Sequence, residues 1–120
     1  MKEEDLDFQI NFYEGLLEKK LDFIPALFAL GDAYTKKGLF EKGLLIDKRL
    51  AKLKPDDPVA FYNLACDYSL LNQIDKSLSC LRLALSLGYD DFDYMEKDAD
   101  LNNLRQDPRY KDLISEVKKS

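Results

Sequence analysis

The chain has 120 residues, of which 34% are charged and 46% hydrophobic, and it carries a formal net charge of -5. This length and composition are typical of one small globular domain and exclude a disordered chain. Because phosphate binding needs clustered lysine and arginine, the acidic balance disfavours nucleic acid, and it disfavours an anionic membrane surface as well. The sequence contains no histidine, so the commonest general base and the commonest transition-metal ligand are both missing.

The beginning of the chain gives no sign of export. The residues MKEEDLD are acidic where a signal peptide is basic and then apolar. No stretch approaches the ~20 apolar residues that a membrane span requires. We therefore expect a cytoplasmic protein with no membrane partner. The two cysteines, Cys66 and Cys80, lack metal-ligand spacing and are predicted to be reduced thiols within helices.

A stretch in the first half of the chain recurs later. LFALGDAYTKKGLFEKG, residues 27–43, returns as FYNLACDYSLLNQIDKS, residues 61–77, at an offset of 34 residues. A glycine inside a helix costs about 1 kcal/mol relative to alanine, so Gly31 must serve a purpose. Small residues also stand at Gly43, Ala65 and Ser77. We expect these positions to let two antiparallel helices approach closely within each unit.

Each unit reads as two helices. In the first unit, one helix ends at Lys37-Gly38, where glycine suits a helix end, and the next runs from Phe40 to about Leu53. The stretch KPDDP then stops it, and Asp57 is placed to cap a helix with Pro58 in its first turn. The second unit is predicted to have helices over residues 58–71 and 74–87.

The two ends of the chain extend the pattern only in part. INFYEGLLEKK aligns with the second helix of a unit, with Gln9 in the place of the small residue, and so predicts a half repeat acting as an N-terminal cap. At the other end, Asp98 and Asn102 break the frame. A helix is then predicted to begin at Asp107-Pro108. Its inner side would carry Tyr110, Leu113, Ile114 and Val117.

The recurring residues carry a family resemblance. They are Leu27, Leu30, Gly31, Tyr34, Gly43, Leu50 and Pro55 in the first unit, and Phe61, Leu64, Ala65, Tyr68, Ser77, Leu81 and Ala84 in the second. This pattern resembles the tetratricopeptide repeat, a helix–turn–helix family with a period of 34 residues. The resemblance implies an all-α fold, a right-handed α-solenoid in one domain. It would comprise an N-terminal cap helix (1–23), repeats at 24–57 and 58–91, and degenerate capping helices at 92–120.

In this family the inner curve of the solenoid usually contacts peptides, and the resemblance implies a concave binding surface. Its residues would be Phe28, Asp32, Thr35, Tyr62, Asn63, Cys66 and Ser69. Two aromatic rings beside a carboxylate suit an apolar peptide with a basic residue. The alternative is that Phe28 and Tyr62 pack against neighbouring helices or the termini. The chaperone-binding subset, which clamps a terminal carboxylate, is disfavoured because only Asn63 agrees and Asp32 would repel that group.

The function predicted from this resemblance is a non-enzymatic module that binds a protein or peptide segment in the concave groove. The alternative is a protein that self-associates by stacking its solenoid ends, which the polar start over residues 2–5 disfavours; we expect a monomer or a weak homodimer.

No cofactor or metal site is predicted. The acidic run Asp90, Asp91, Asp93, Glu96, Asp98 and Asp100 has the wrong spacing for a calcium loop and suits solvated helix N-termini instead.

Two single residues need separate expectations. Asp47 stands where Tyr13 and Leu81 face the packing layer. We expect Ile46 to take the inner place and Asp47 to stay in water, with a buried functional carboxylate as the alternative. Cys66 has no basic residue placed by sequence to lower its pKa, so we expect an inert small side chain.

Overall fold

The computed structural model describes residues 3–119, which form helices and loops with no β-strand among them. The helices are α1 Glu3–Lys19, α2 Ile24–Lys37, α3 Phe40–Leu53, α4 Pro58–Leu70, α5 Ile74–Ser86, α6 Phe92–Lys97, α7 Asn102–Arg105 and α8 Pro108–Lys118, with a short 3-10 helix, Ala99–Leu101, before α7. The all-α prediction is confirmed. Residues 1, 2 and 120 and the side chains of Glu3 and Glu4, which belong to the predicted terminal segments, lie outside the described part.

The helix starts follow the expected capping chemistry. The Asp57 carboxylate accepts a hydrogen bond from the Val59 N–H at 2.9 Å, and Pro58 occupies the first turn of α4. Asp107 accepts from the Arg109 N–H at 2.9 Å and is followed by Pro108 at the start of α8. Both predictions are confirmed. Each cap satisfies a backbone donor that has no partner inside its helix.

The turn between the helices of each pair has the same geometry at positions 34 residues apart. Gly38 and Asn72 both have a left-handed backbone, with φ of 86° and 58°. In each turn the next residue donates back to a tyrosine carbonyl, Leu39 to Tyr34 and Gln73 to Tyr68, both at 2.8 Å. Glycine and asparagine are the residues that adopt this conformation most readily, so each stops its helix in the same way.

The chain divides into two units, with the boundary between Lys54 and Pro55. In the first unit, α2 packs against both α1 and α3. Its largest buried side chains include Leu6, Ile10, Leu17, Leu27, Leu30 and Leu50. Because α2 has helices on two sides, the recurring residues Leu27, Leu30, Gly31 and Tyr34 are all buried.

In the second unit, α4 packs against α5, and the chain after α5 folds back onto this pair. The 3-10 helix and α7 contact α4, while α8 contacts α5 and α7. The core includes Leu81, Met95, Leu101, Leu104, Tyr110 and Leu113. The predicted helix that begins at Asp107-Pro108 is confirmed, with Tyr110, Leu113 and Ile114 turned inward, and Val117 packs against them half-buried.

Small residues hold the helix pairs close together, as predicted. In the first unit, a Cβ added to Gly43 would lie 3.1 Å from Thr35 Oγ1 and 3.6 Å from the Gly31 carbonyl oxygen. In the second unit, the Ser77 hydroxyl donates to the Ala65 carbonyl at 2.6 Å, and both residues are fully buried. Neither contact leaves room for a longer side chain at the small position.

The expectation that Asp47 stays in water is wrong. Asp47 is only 4% exposed, and Ile46 is half-buried. A Cβ on Gly31 would lie 3.2 Å from the Asp47 Cγ and in hard contact with its carboxylate oxygen Oδ1. The missing side chain of Gly31 therefore makes the space that the Asp47 carboxylate occupies, so α3 does not need to rotate Asp47 outward.

Candidate protein-interaction site

Helix α2, the first helix of the first repeat, carries two of the predicted contact residues one turn apart. Phe28 is half-buried, and Asp32 is exposed one turn later on α2. The Asp32 carboxylate forms an ion pair with Lys36 at 2.8 Å, and both side chains are more than half exposed, at 63% and 52%. An exposed pair of this kind contributes little to stability, so Asp32 can exchange Lys36 for another cation at small cost.

Thr35, the third predicted residue on α2, faces a different neighbour. Its hydroxyl donates to the Gly31 carbonyl at 3.1 Å and lies against Gly43 of α3. The side chain therefore fills the contact between α2 and α3. The predicted row of Phe28, Asp32 and Thr35 lies on one helix, but only Asp32 is exposed, while Phe28 is half-buried.

Tyr62, the counterpart of Phe28 in the second unit, is enclosed. It is 4% exposed, and its ring stacks on Tyr89 with the centroids 4.2 Å apart and an interplanar angle of 2°. Its hydroxyl donates to Asp98 Oδ2 at 2.6 Å. Burial, together with the nearby Asp98 carboxylate, raises the pKa of Tyr62 well above its usual range, so the hydroxyl stays a donor. The packing alternative describes this tyrosine.

Cys66, one turn along α4, points at the same carboxylate. Its Sγ donates to Asp98 Oδ2 at 3.7 Å, and the residue is buried. Burial raises the pKa of the Cys66 thiol, and the carboxylates of Asp98, Asp100 and Asp67 raise it further. Since the thiolate is the reactive form, this cysteine is inert at neutral pH, as the sequence indicated. Cys66 and Cys80 are both reduced cysteines within helices, as expected.

Ser69 ends this row and is held by the C-terminal segment. Its hydroxyl accepts a hydrogen bond from the Leu104 N–H at 3.1 Å, and its carbonyl accepts one from the Asn103 side chain at 2.9 Å. Tyr62, Cys66 and Ser69 are thus brought together on one face of α4, and residues 89–104 of the same chain cover that face. Asn63, beside them in sequence, is half-buried.

Asp98 holds this region together. Sequence reasoning treated it as a break in the repeat and as one of a solvated acidic run, and the second expectation is wrong for Asp98, which is buried. It caps the 3-10 helix by accepting from the Asp100 N–H at 3.0 Å, while its other oxygen takes the bond from Tyr62. The sequence contained one indication that Asp98 is buried. Asp98 stands 34 residues after Leu64, at a repeat position expected to be buried. A carboxylate at such a position requires buried donors, and tyrosine and cysteine stand nearby on α4.

The same place brings together three groups of a kind that can bind metals. One ligand atom each from Cys66, Asp98 and Asp100 lies within 4.8 Å of the others. The set mixes a soft thiol, which burial keeps protonated, with two hard carboxylates, of which Asp98 already accepts three hydrogen bonds. Calcium takes six to eight oxygen ligands and zinc prefers thiolate or imidazole, so these residues fit neither ion.

Comparison with known proteins gives a partial match. No family model matches the chain. Over 93 residues, the chain is 37% identical to a chloroplastic protein of Arabidopsis thaliana, and the matched region covers 75% of this chain. The chain spans 28% of the length of that protein.

No helix within residues 3–119 combines the length and apolar character that crossing a membrane requires.

Proposed function

We propose that this protein is a non-enzymatic interaction module of the tetratricopeptide type, which binds a peptide or protein segment. The observation that carries the proposal is the recurrence of the same local geometry at an offset of 34 residues. The left-handed turn residue, the small-to-small helix contact and a lysine above a tyrosine ring each occur once in both helix pairs. A solenoid arrangement of these pairs belongs to the same proposal.

The binding surface that we propose is the outer side of α2, centred on Phe28 and Asp32. Of the predicted row on α2, Asp32 is exposed and Phe28 is half-buried, whereas Thr35 fills the contact with α3. An apolar side chain of the partner would pack against the Phe28 ring. A lysine or arginine of the partner would pair with Asp32 in place of Lys36. The expected partner is therefore a segment that combines an apolar and a basic residue.

A selection from a peptide display library tests this proposal. The selected peptides should combine an apolar with a basic residue, and fluorescence anisotropy should show Kd rising about tenfold for Phe28→Ala and for Asp32→Lys, since truncating an anchor costs more than about 1 kcal/mol. Leu45→Ala, which removes an exposed leucine from α3, is the matched control and should leave Kd unchanged. Binding that neither α2 substitution weakens would contradict the proposed surface.

The non-enzymatic role and the cytoplasmic location remain predictions. The first is supported by the missing histidine and by the protonated state of Cys66. Turnover of a small substrate by the purified protein, lost on a single substitution, would overturn it. The location is tested by imaging a tagged full-length chain in the source cell, and an organelle signal would contradict it.

The second candidate function, self-association, is favoured by one observation. Phe8 and Phe12 on α1 are 73% and 53% exposed. Large aromatic side chains on one bare helix face are typical of a surface that is covered in an assembly.

A further inference from the structure

The outer side of α1 carries a regular row of residues, which we call the α1 stripe. It consists of Asp5, Phe8, Phe12, Gly15 and Lys19. Their spacing alternates between three and four residues, as in the contact seam of a pair of helices. The buried residues of α1, Leu6, Ile10 and Leu17, lie on the opposite side of the helix. The α1 stripe therefore faces away from the core of its unit.

The middle of the α1 stripe has the character of a contact surface. Phe8 and Phe12 stand one turn apart and expose most of their rings. Gly15 lies a turn further on, and a Cβ added there would meet nothing within 4 Å. Glycine in a helix interior is unfavourable relative to alanine, and no close contact within residues 3–119 requires one here. A large side chain from outside the chain would make use of the missing Cβ.

The opposite charges at the two ends of the α1 stripe favour a second, antiparallel copy of α1 as its partner. Asp5 lies at its beginning and Lys19 at its end, each seven residues from Phe12. Two copies of α1 in antiparallel orientation, related by a two-fold axis beside Phe12, bring Asp5 of one copy against Lys19 of the other. In the same register Phe8 lies opposite Leu16, and Gly15 is the nearest residue of the α1 stripe to it. A parallel pair would instead oppose like charges.

We propose that the α1 stripe binds the α1 stripe of a second copy of this chain, as an antiparallel helix pair centred on Phe12. Two single helices bury less area than the ~1,200 Å² of stable interfaces, so the dimer is weak. A net charge of -5 on each chain opposes association further. This proposal does not depend on peptide binding by α2, and its substitutions leave Phe28 and Asp32 unchanged.

Sedimentation equilibrium of the full chain at increasing concentration tests the pairing. The wild-type chain should pass reversibly from monomer to dimer in the range of about 10 μM to 1 mM expected for a small interface. Phe12→Glu should abolish the dimer, while Leu45→Glu, at a leucine that is 69% exposed on α3, should leave it intact. A wild-type chain that stays monomeric throughout, or a dimer that survives Phe12→Glu, would overturn the proposal.

Charge exchange tests the antiparallel orientation. Asp5→Lys alone and Lys19→Asp alone should each weaken the dimer several-fold, because each opposes like charges at both ends of the pair. The double variant should restore the dissociation constant of the wild-type chain. A double variant that dimerises less well than either single variant would exclude the antiparallel register.

Gly15→Leu separates pairing from the stability of the helix. The new side chain has open space in the single chain, so the melting temperature should stay level or rise at low concentration. It would fill the place of Phe8 of the second copy, and the dimer should weaken at least tenfold. An unchanged dissociation constant would place the interface elsewhere and overturn the register.

Discussion

The two helix pairs share one frame and differ in what covers the first helix. In the second unit, residues 89–104 lie over the face of α4 that carries Tyr62, Cys66 and Ser69. In the first unit, the corresponding positions on α2 begin with a half-buried Phe28 and an exposed Asp32. The comparison teaches that the 34-residue pattern encodes the packing within a pair, whereas the rest of the chain decides which helix face stays exposed.

The largest effect on stability should come from removing the Asp98 carboxylate, which binds residues 89–104 to α4. Asp98→Ala leaves the Tyr62 hydroxyl buried without its acceptor and removes the cap of the 3-10 helix. We expect a loss of about 2–4 kcal/mol in the free energy of unfolding, measured with urea. Asp91→Ala removes an exposed cap of α6 and is the matched control, with an expected loss of about 1 kcal/mol. Equal losses would mean that Asp98 acts only as a cap.

The second prediction compares the small position of the two units directly. Ala65 already has a Cβ, whereas Gly31 gives that space to the Asp47 carboxylate. Gly31→Ala should therefore cost about 1–3 kcal/mol despite the better helix propensity of alanine. In an Asp47→Ala background the same change should become neutral or stabilising, because the added methyl group then has room. A double-mutant cycle by urea denaturation measures this coupling, and additive effects would contradict it.

The third prediction concerns alkaline pH in the second unit. The pKa values of Cys66 and Tyr62 lie above their usual values of 9.0 and 10.0, so the folded chain holds these protons more tightly than the unfolded chain. Their stabilising contribution is complete below pH 9 and is lost as the pH rises above it. In Cys66→Ala, the fall in stability should begin nearer pH 10. Urea midpoints, each normalised at neutral pH, check this, and identical curves would contradict it.

The smallest effect is expected where the two units are alike. Lys42 lies over the Tyr34 ring and Lys76 over the Tyr68 ring, each with its Nζ at 5.8 Å from the ring centroid. Lys42→Gln and Lys76→Gln should each cost about 0.5–1 kcal/mol, because exposed cation–π contacts are weak. Thermal unfolding followed by circular dichroism measures both losses. A marked difference between the two variants would show that the shared frame does not extend to this contact.

The sequence predicted the local structure well because local rules determine it. The helix from Phe40 to Leu53 and the cap at Asp57 agree with the prediction, while α4 and α5 each end one residue earlier than expected. Helix caps, turn residues and the spacing of apolar residues depend only on residues close together in the chain. They can therefore be recognised in a single sequence without knowledge of distant contacts.

The parts that sequence reasoning missed depend on contacts between distant residues. The burial of Asp47 follows from the space left by Gly31 on another helix. The enclosure of Tyr62 follows from the path of the chain through Tyr89 and Asp98. The periodic pattern of the sequence shows neither the space beside a glycine on a neighbouring helix nor the path of a distant C-terminal segment. The repeat positions by themselves therefore predicted that Tyr62, Cys66 and Ser69 lie in an open groove.

The return of the C-terminal segment onto α4 also has a consequence for folding. The bond between Ser69 and the Leu104 N–H closes a loop of 35 residues, whereas Tyr34 and Glu14, which pair in the first unit, stand 20 residues apart. Closing longer loops costs more chain entropy and slows folding. We therefore expect the first unit to order earlier than the cover of the second. Pulse-labelling hydrogen exchange during refolding would show α2 amides protected before the Leu104 amide.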